Sequence, residues 1–228
     1  MVEAVVDFRY AQLCPVARAC ELLASRWTLL IVRDLFGGPL RFSDLQRALP
    51  GISTSVLAER LAHLEEHGIV ERGELPPPAA SSVYALTATG RALRPALIEL
   101  VRWGARFMGA SLPDDHLEPR WVPLGLEALA RRGPSPARAV EVRVRTGHEP
   151  LVLRVLGGPG GTRVCHEPGP ADAVLEAEPR ALLALAAGLL TAGQAVAAGQ
   201  ARTAGDPAAL GDFSGLFEMS PSTPDRTH

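Results

Sequence analysis

Between residues 15 and 109 the apolar positions recur at spacings of three and four: Val16, Leu22, Leu23 and Trp27, then Leu29, Leu30, Val32, Leu35 and Phe36. That period marks helices with one face turned to a core, so this stretch is predicted to be mainly helical. Two short strand-like runs, residues 69–72 and 82–87, flank Pro76, Pro77 and Pro78 as the arms of a hairpin. Downstream the period changes. Residues 139–146 alternate strictly, and further strands are predicted at 151–156, 162–166 and 173–177. Helical spacing returns at 179–190 and 194–199, followed by a strand at 200–204 and a helix at 207–217. From about residue 120 the order is therefore four strands, two helices, a strand and a helix, which is an α+β layering. Gly157, Gly158, Gly160 and Gly161 lie between two strands with no helix after them, which reads as a hairpin turn rather than a phosphate loop. Breaks at 76–78, 112–115 and 133–136 punctuate the chain. We expect a first domain over 1–112, a second over 113–219 and a disordered tail over 220–228.

Residues 40–61 carry the strongest functional pattern. Ser43 is predicted to cap a short helix ending near Leu49, Pro50 and Gly51 turn the chain, and Ser53 caps a second helix. On that helix Leu57, Leu61 and Leu64 form an inward stripe, so Ser55, Glu59 and Ala62 point outward with Ala58 and His63 beside them. Gly68 ends it. A positioning helix, a tight turn and a second helix with polar N-terminal residues make a DNA-reading module, with the hairpin as its wing. Phosphate contacts need cations or N–H donors, so Arg41, Arg60 and Arg72 are the phosphate candidates. Ser43, Ser53, Thr54, Ser55, Glu59 and His63 complete the candidate set on the two helices, and Ser81 and Ser82 stand on the wing. Arg60 lies at the edge of the buried stripe, so an intramolecular salt bridge is its competing reading. For the module as a whole the competitor is a helical bundle that only packs and dimerises.

The same stretch carries a family likeness. Cys14-Pro15-Val16, Arg26-Trp27-Thr28-Leu29-Leu30-Ile31-Val32-Arg33-Asp34-Leu35, Gly38-Pro39-Leu40-Arg41-Phe42, Leu49-Pro50-Gly51-Ile52-Ser53, Tyr84-Ala85-Leu86-Thr87, Gly90-Arg91 and Trp103-Gly104 follow in order. Together they resemble the HxlR family of winged-helix transcription regulators over residues 14–108. The resemblance implies a homodimer, joined mainly through its N- and C-terminal helices, on a pseudo-palindromic site in double-stranded DNA. This chain departs from the family pattern with Arg26 where lysine is usual, Ala62 where a basic residue is common, and no arginine in the wing at 79–83. The resemblance also implies a thiol- or quinone-sensing role for Cys14, which precedes Pro15 at a helix start; the alternative is a small apolar residue in the dimer interface. Farther on, Leu182-Leu183-Ala184-Leu185-Ala186-Ala187-Gly188, then residues 198–207, Leu210 and Leu216-Phe217 resemble the end of a sterol-carrier-protein-like domain. That likeness implies an apolar cavity between sheet and helices, with Trp121, Leu153, Val155, Leu183 and Phe213 as wall candidates. The alternative there is a purely structural or dimer-supporting role.

Composition narrows the chemistry. With 228 residues, 47% apolar and 21% charged, the chain has material for two modest domains with real cores. All 23 basic residues are arginine, which removes a Walker lysine, a Schiff-base lysine and a pyridoxal-phosphate linkage. The net charge is −2, but residues 1–110 sum to +1 and residues 111–228 to −3, so the first half is the more basic. The longest apolar run, residues 181–190, is half of the ~20 residues needed to cross a bilayer, and the N-terminus is acidic without an apolar leader. Three cysteines, an odd count, suit free thiols in a reducing cytoplasm. His63-Leu64-Glu65-Glu66-His67 matches an inverted zinc-peptidase pattern, but Gly68 ends the helix and no third ligand follows, so no metal is expected. Gly51-Ile52-Ser53-Thr54-Ser55 is only part of a nucleophile elbow, so no catalytic residues and no enzyme are expected.

The resulting expectation is a mainly α winged helix-turn-helix domain followed by an α+β sterol-carrier-protein-like domain. Its function would be that of a cytoplasmic homodimeric regulator that binds DNA sequence-specifically, without cofactor or membrane contact, under a small apolar effector in the C-terminal domain. The alternative is a ligand-sequestering or interaction protein whose winged helix no longer binds DNA.

Overall fold

The structure is a computed structural model that describes residues 9–74, 81–107, 116–147 and 149–218. The chain divides into two compact units, Met1–Pro95 and Ala96–His228.

In the first unit the predicted helical spacing becomes α1 (Pro15–Leu23), α2 (Thr28–Leu35), α3 (Phe42–Ala48) and α4 (Thr54–Glu66), then the hairpin β1 (Val70–Glu74) and β2 (Ser82–Leu86), and the short α5 (Ala88–Arg91). Its core is built from the expected stripes: Ile31, Val32 and Leu35 of α2, Leu45 of α3 and Leu57, Leu61 and Leu64 of α4, all packed with Tyr84 and Leu86. Each such side chain, once buried, contributes roughly 1.5–3 kcal/mol. The hairpin is antiparallel in the register Val70↔Leu86 to Glu74↔Ser82. Leu40 adds an isolated antiparallel bridge to β2, exchanging both backbone hydrogen bonds with Tyr84 at 2.8 and 3.0 Å. Asp34 is fully buried, and Arg33 donates to both its carboxylate oxygens at 3.3 Å.

Two glycines fix how α4 meets the hairpin. Gly68 is left-handed at φ +63°, and the bonds Gly68 N–H to Glu65 carbonyl and Ile69 N–H to Leu64 carbonyl form a Schellman stop. Gly90 admits no side chain, since a Cβ there would lie 2.2 Å from the Ile69 carbonyl oxygen. One sequence expectation is corrected: Ser43 does not cap α3. Arg41 occupies the N-cap with an extended backbone and no capping side chain, because Phe42 turns in to start the helix two residues earlier.

The second unit holds most of α6 (Arg94–Ala105), then a 3-10 turn (Pro119–Trp121), α7 (Val122–Leu129), β3 (Ala139–Val144), β4 (Leu151–Leu156), β5 (Arg163–Cys165), β6 (Ala173–Ala177), α8 (Pro179–Ala186), α9 (Ala192–Ala197), β7 (Ala201–Gly205), α10 (Pro207–Gly211) and a 3-10 turn (Phe213–Leu216). The strands form one mixed sheet in the order β5-β4-β3-β6-β7. Only β3 and β6 run parallel; the other neighbours are antiparallel. Alternation decides the faces. Val140, Val142, Val144, Leu153, Val155 and Leu175 turn inward onto Val122, Leu126, Leu182, Phe213 and Leu216, while Glu141, Arg143, Arg154 and Glu176 lie half-buried on the other face.

Arginines tie the unit's ends together. Arg102 of α6 donates to the Ala128 and Ala130 carbonyls at 2.7 and 3.2 Å, which covers exposed acceptors at the end of α7. Arg131 likewise donates to the Gly215 and Phe217 carbonyls at 2.9 and 3.1 Å, beside an Ala130↔Phe217 bridge.

The sequence order needs three amendments here. The unit adds α7 ahead of its strands. The helix expected over 179–190 stops at Ala186, because Gly188 turns left-handed at φ +70°, which leaves Leu189 80% exposed. The helix expected over 207–217 breaks after Gly211 and continues as a 3-10 turn.

Candidate nucleic-acid interface

The outward side of α4 begins at its cap. Ser53 has an extended backbone, and its Oγ accepts the Val56 N–H at 3.3 Å, so its hydroxyl serves the helix start. Ser55 is exposed, with its Oγ 3.1 Å from that of Ser53. Thr54 is exposed too, but its Oγ1 accepts from Gln46 Nε2 at 2.9 Å, a bond that links α3 to the first residue of α4. Below these groups Leu57, Leu61 and Leu64 are fully buried, while Ala58 and Ala62 are exposed. The result is a helix face of small side chains rimmed by hydroxyls, narrow enough for a major groove.

Charge along this face is largely committed within the chain. Arg60 is ion-paired with Glu59, its neighbour on α4. Arg72 on β1 donates to Glu65 at 3.1 Å and lies over the Tyr84 ring at 5.3 Å. Arg47 pairs with Asp44 at 3.2 Å within α3. Arg41 is exposed at the α3 N-cap, and among the described residues it makes no ion pair or side-chain hydrogen bond. It also sits where the free N–H groups of α3 emerge, a place that favours an anion.

The other candidates fall as follows. Ser43 is exposed on α3, and Ser82 is exposed at the start of β2. The Ser81 hydroxyl is buried without a hydrogen-bond partner among the described residues, so it is not presented to solvent. The wing residues 75–80 lie outside the described residues. His63 and His67 pack ring to ring at 4.5 Å, and His67 Nδ1 lies 2.9 Å from the His63 carbonyl oxygen, which engages one ring nitrogen. Among the described residues, no three His, Cys, Asp or Glu side chains are grouped to hold a metal ion. Cys14 is the half-buried N-cap of α1. Gln46 is the positioning residue that sequence reading passes over. Its only trace in the sequence is a polar residue on the short helix, eight positions before Thr54.

In the second unit Leu153, Val155 and Phe213 belong to the closed core, whereas Trp121 and Leu183 are half-buried. No described helix is long and apolar enough to cross a membrane.

Comparison with known proteins bears on the first unit. Residues 22–111 match the family model described as HxlR-like helix-turn-helix. The uncharacterized HTH-type transcriptional regulator YvaP of Bacillus subtilis is 39% identical over 105 residues, covering 46% of this chain and 97% of YvaP. An uncharacterized HTH-type transcriptional regulator of Synechocystis sp. is 38% identical over 110 residues, covering 47% of this chain and 82% of its own. Among solved structures, the reduced form of the transcriptional regulator YodB from Bacillus subtilis is 39% identical, covers 46% of this chain and 100% of its own, and has a TM-score of 0.38.

Proposed function

The chain belongs to the HxlR-like helix-turn-helix family, and on that premise we propose that it is a transcriptional regulator that binds duplex DNA through α4. The observation that carries this reading is the α4 surface: hydroxyls of Ser53 and Ser55 at its start and small exposed side chains beyond, over a buried leucine stripe. Arg41 supplies a phosphate contact at the α3 N-terminus, with Arg60 and Arg72 released from Glu59 and Glu65 when DNA approaches. Ser43, Thr54, Glu59, His63 and Ser82 complete the proposed contact set, which omits Ser81 because its hydroxyl is buried. Thr54 acts mainly by holding α4 against α3 through Gln46.

We further propose a homodimer on a pseudo-palindromic site, acting in the cytoplasm. Exposed apolar side chains support it: Leu13 and Val16 near α1, and Leu100, Trp103 and Phe107 on and after α6, with Trp103 59% exposed. Such surface is the kind that subunit contacts cover. In this proposal residues 1–112 form the DNA-binding and dimerisation region, 113–219 a sterol-carrier-protein-like module and 220–228 a tail. Cys14 is the redox candidate. An apolar effector bound in the second unit is the finer part of this proposal. Its entry would have to part α8 from the sheet, since Leu153, Val155 and Phe213 are already packed. Recovery of bound genomic fragments, followed by mobility shifts across salt, tests the central reading. Failure to find any salt-sensitive specific complex refutes it.

A further inference from the structure

The last strand of the mixed sheet, β7, lies at its edge beside β6. Its sequence, Ala201-Arg202-Thr203-Ala204-Gly205, carries little of the usual protection of an edge: no proline, no lysine and no bulge, since the register Ala173↔Gly205 to Ala177↔Ala201 is unbroken. The ladder decides which backbone groups stay open. Glu178 N–H donates to the Gln200 carbonyl at 3.1 Å and Asp206 N–H to the Asp172 carbonyl at 2.9 Å, so even-numbered residues turn their backbone groups to β6 and odd-numbered ones turn theirs away. Ala201 is 3% exposed, so the edge is covered there, whereas residues 202–206 are all exposed. The N–H and C=O groups of Thr203 and Gly205 therefore form an open edge, with no hydrogen-bond partner among the described residues. Charges flank it. Among the described residues Arg202 makes no ion pair or side-chain hydrogen bond, and Asp206 caps Ala208 while reaching Arg138 only at 3.9 Å.

We propose that β7 pairs antiparallel with β7 of a second copy of this chain, about a two-fold axis at Ala204. A two-fold at Arg202 would set like charges directly opposite each other, which is destabilising, and one at Thr203 would need the covered edge of Ala201. The axis at Ala204 avoids both. It lets Thr203 of each copy exchange both backbone hydrogen bonds with Gly205 of the other, which uses every open group of the edge. It also sets Arg202 of each copy opposite Asp206 of the other, in the closely spaced type of cross-strand pair. The backbone groups accept any extended segment; the charge order, a cation at one end of the edge and an anion at the other, selects an antiparallel copy of itself. This contact uses none of the apolar side chains near α1 and α6, and it does not rest on the DNA-binding reading.

The test is cysteine cross-linking of the full chain, with Cys14, Cys20 and Cys165 changed to Ser and each variant checked for folding by circular dichroism. Across the axis the two Ala204 Cα atoms would lie about 4.5 Å apart, within disulfide reach, while the two Thr203 Cα atoms would lie beyond about 7 Å. Under mild oxidation Ala204→Cys is expected to form a covalent dimer about tenfold or more faster than Thr203→Cys or Arg202→Cys. Adding Thr203→Pro, which removes an outward N–H and no bond to β6, should slow that reaction about tenfold or more, and so should adding Arg202→Glu, which faces Asp206 with a like charge. Equal rates at the three positions, fastest cross-linking through Thr203→Cys, or a rate indifferent to a folded Thr203→Pro or Arg202→Glu variant each overturn the pairing. So does the absence of a covalent dimer up to about 0.2 mM folded protein, which leaves β7 to a different partner.

Discussion

Replacing Arg41 by Ala tests the interface at the one of its three candidate arginines that makes no ion pair among the described residues. Arg60 and Arg72 already face Glu59 and Glu65; the Arg72 pair is of the exposed kind worth only about 0–1 kcal/mol, so its exchange for phosphate is nearly neutral energetically, while the Arg60 side chain is largely covered. Among the described residues Arg41 has no such pair to break, so its contact should appear in full. Each phosphate neutralised contributes about −0.9 to the slope of log K against log salt, so loss of Arg41 from both halves of the proposed dimer should flatten the slope by about 1.8. Across 50–200 mM salt that amounts to roughly a tenfold smaller fall in affinity. Fluorescence anisotropy on a labelled operator duplex, titrated at several salt concentrations, reads both quantities. Glu65→Ala, which frees Arg72, is expected to tighten binding. A slope unchanged in Arg41→Ala, with one that flattens by the same amount in Arg60→Ala, would refute the inference from ion-pair occupancy.

Gly90→Ala must move backbone that stands 2.2 Å from the new Cβ, so urea unfolding should show a loss of about 1–3 kcal/mol. Phe213→Ala empties a fully packed position in the second unit and should cost about 3–5 kcal/mol by the same measurement, leaving DNA affinity at low denaturant intact. Ser53→Ala removes the cap on α4 and should cost about 1 kcal/mol. The side-chain hydrogen bond from Arg18, aided by the Tyr10 N–H, holds the Glu21 carboxyl below its ordinary value of 4.5. This contribution to stability is present above the unfolded value and is lost as pH falls through the depressed one. An NMR titration of Glu21 should show that depression in the wild type and a return toward 4.5 in Arg18→Gln.

The helix-turn-helix unit was legible because its signals are local. The α4 leucine stripe, the Ser53 cap and the Gly68 stop each lie within a few residues of their effect. Ser43 misled because a capping residue type beside a helix says nothing of which neighbour turns inward first, and Phe42 does. What pairs across distance was not legible. The Gln46–Thr54 bond and the arginines that cover the carbonyls of Ala128, Gly215 and Phe217 depend on which helix ends meet, and no spacing encodes that. In the second unit the strand alternation was readable, but the parallel match of β3 with β6 was not, since register across an intervening pair of strands is set by packing. At α8 the leucine pattern ran past the true end because Gly188, not apolar spacing, ends the helix.

The Ala130↔Phe217 bridge and the bonds from Arg131 to Gly215 and Phe217 have a consequence for biosynthesis. The first unit is complete in sequence once Pro95 has been added, whereas the second cannot close until Phe217 has left the ribosome. At ~5–20 residues per second that interval is roughly 6–25 s. Late in it β3 and β4 have been made, and Val140, Val142, Leu153 and Val155 have only α7 to pack on until β6, α8 and Phe213 emerge to complete their cover. The nascent chain thus carries a finished DNA-reading head followed by a sheet whose apolar face is only partly covered. Premature termination before Phe213 would yield a polypeptide that can fold its head and still be marked for capture by chaperones or proteolysis.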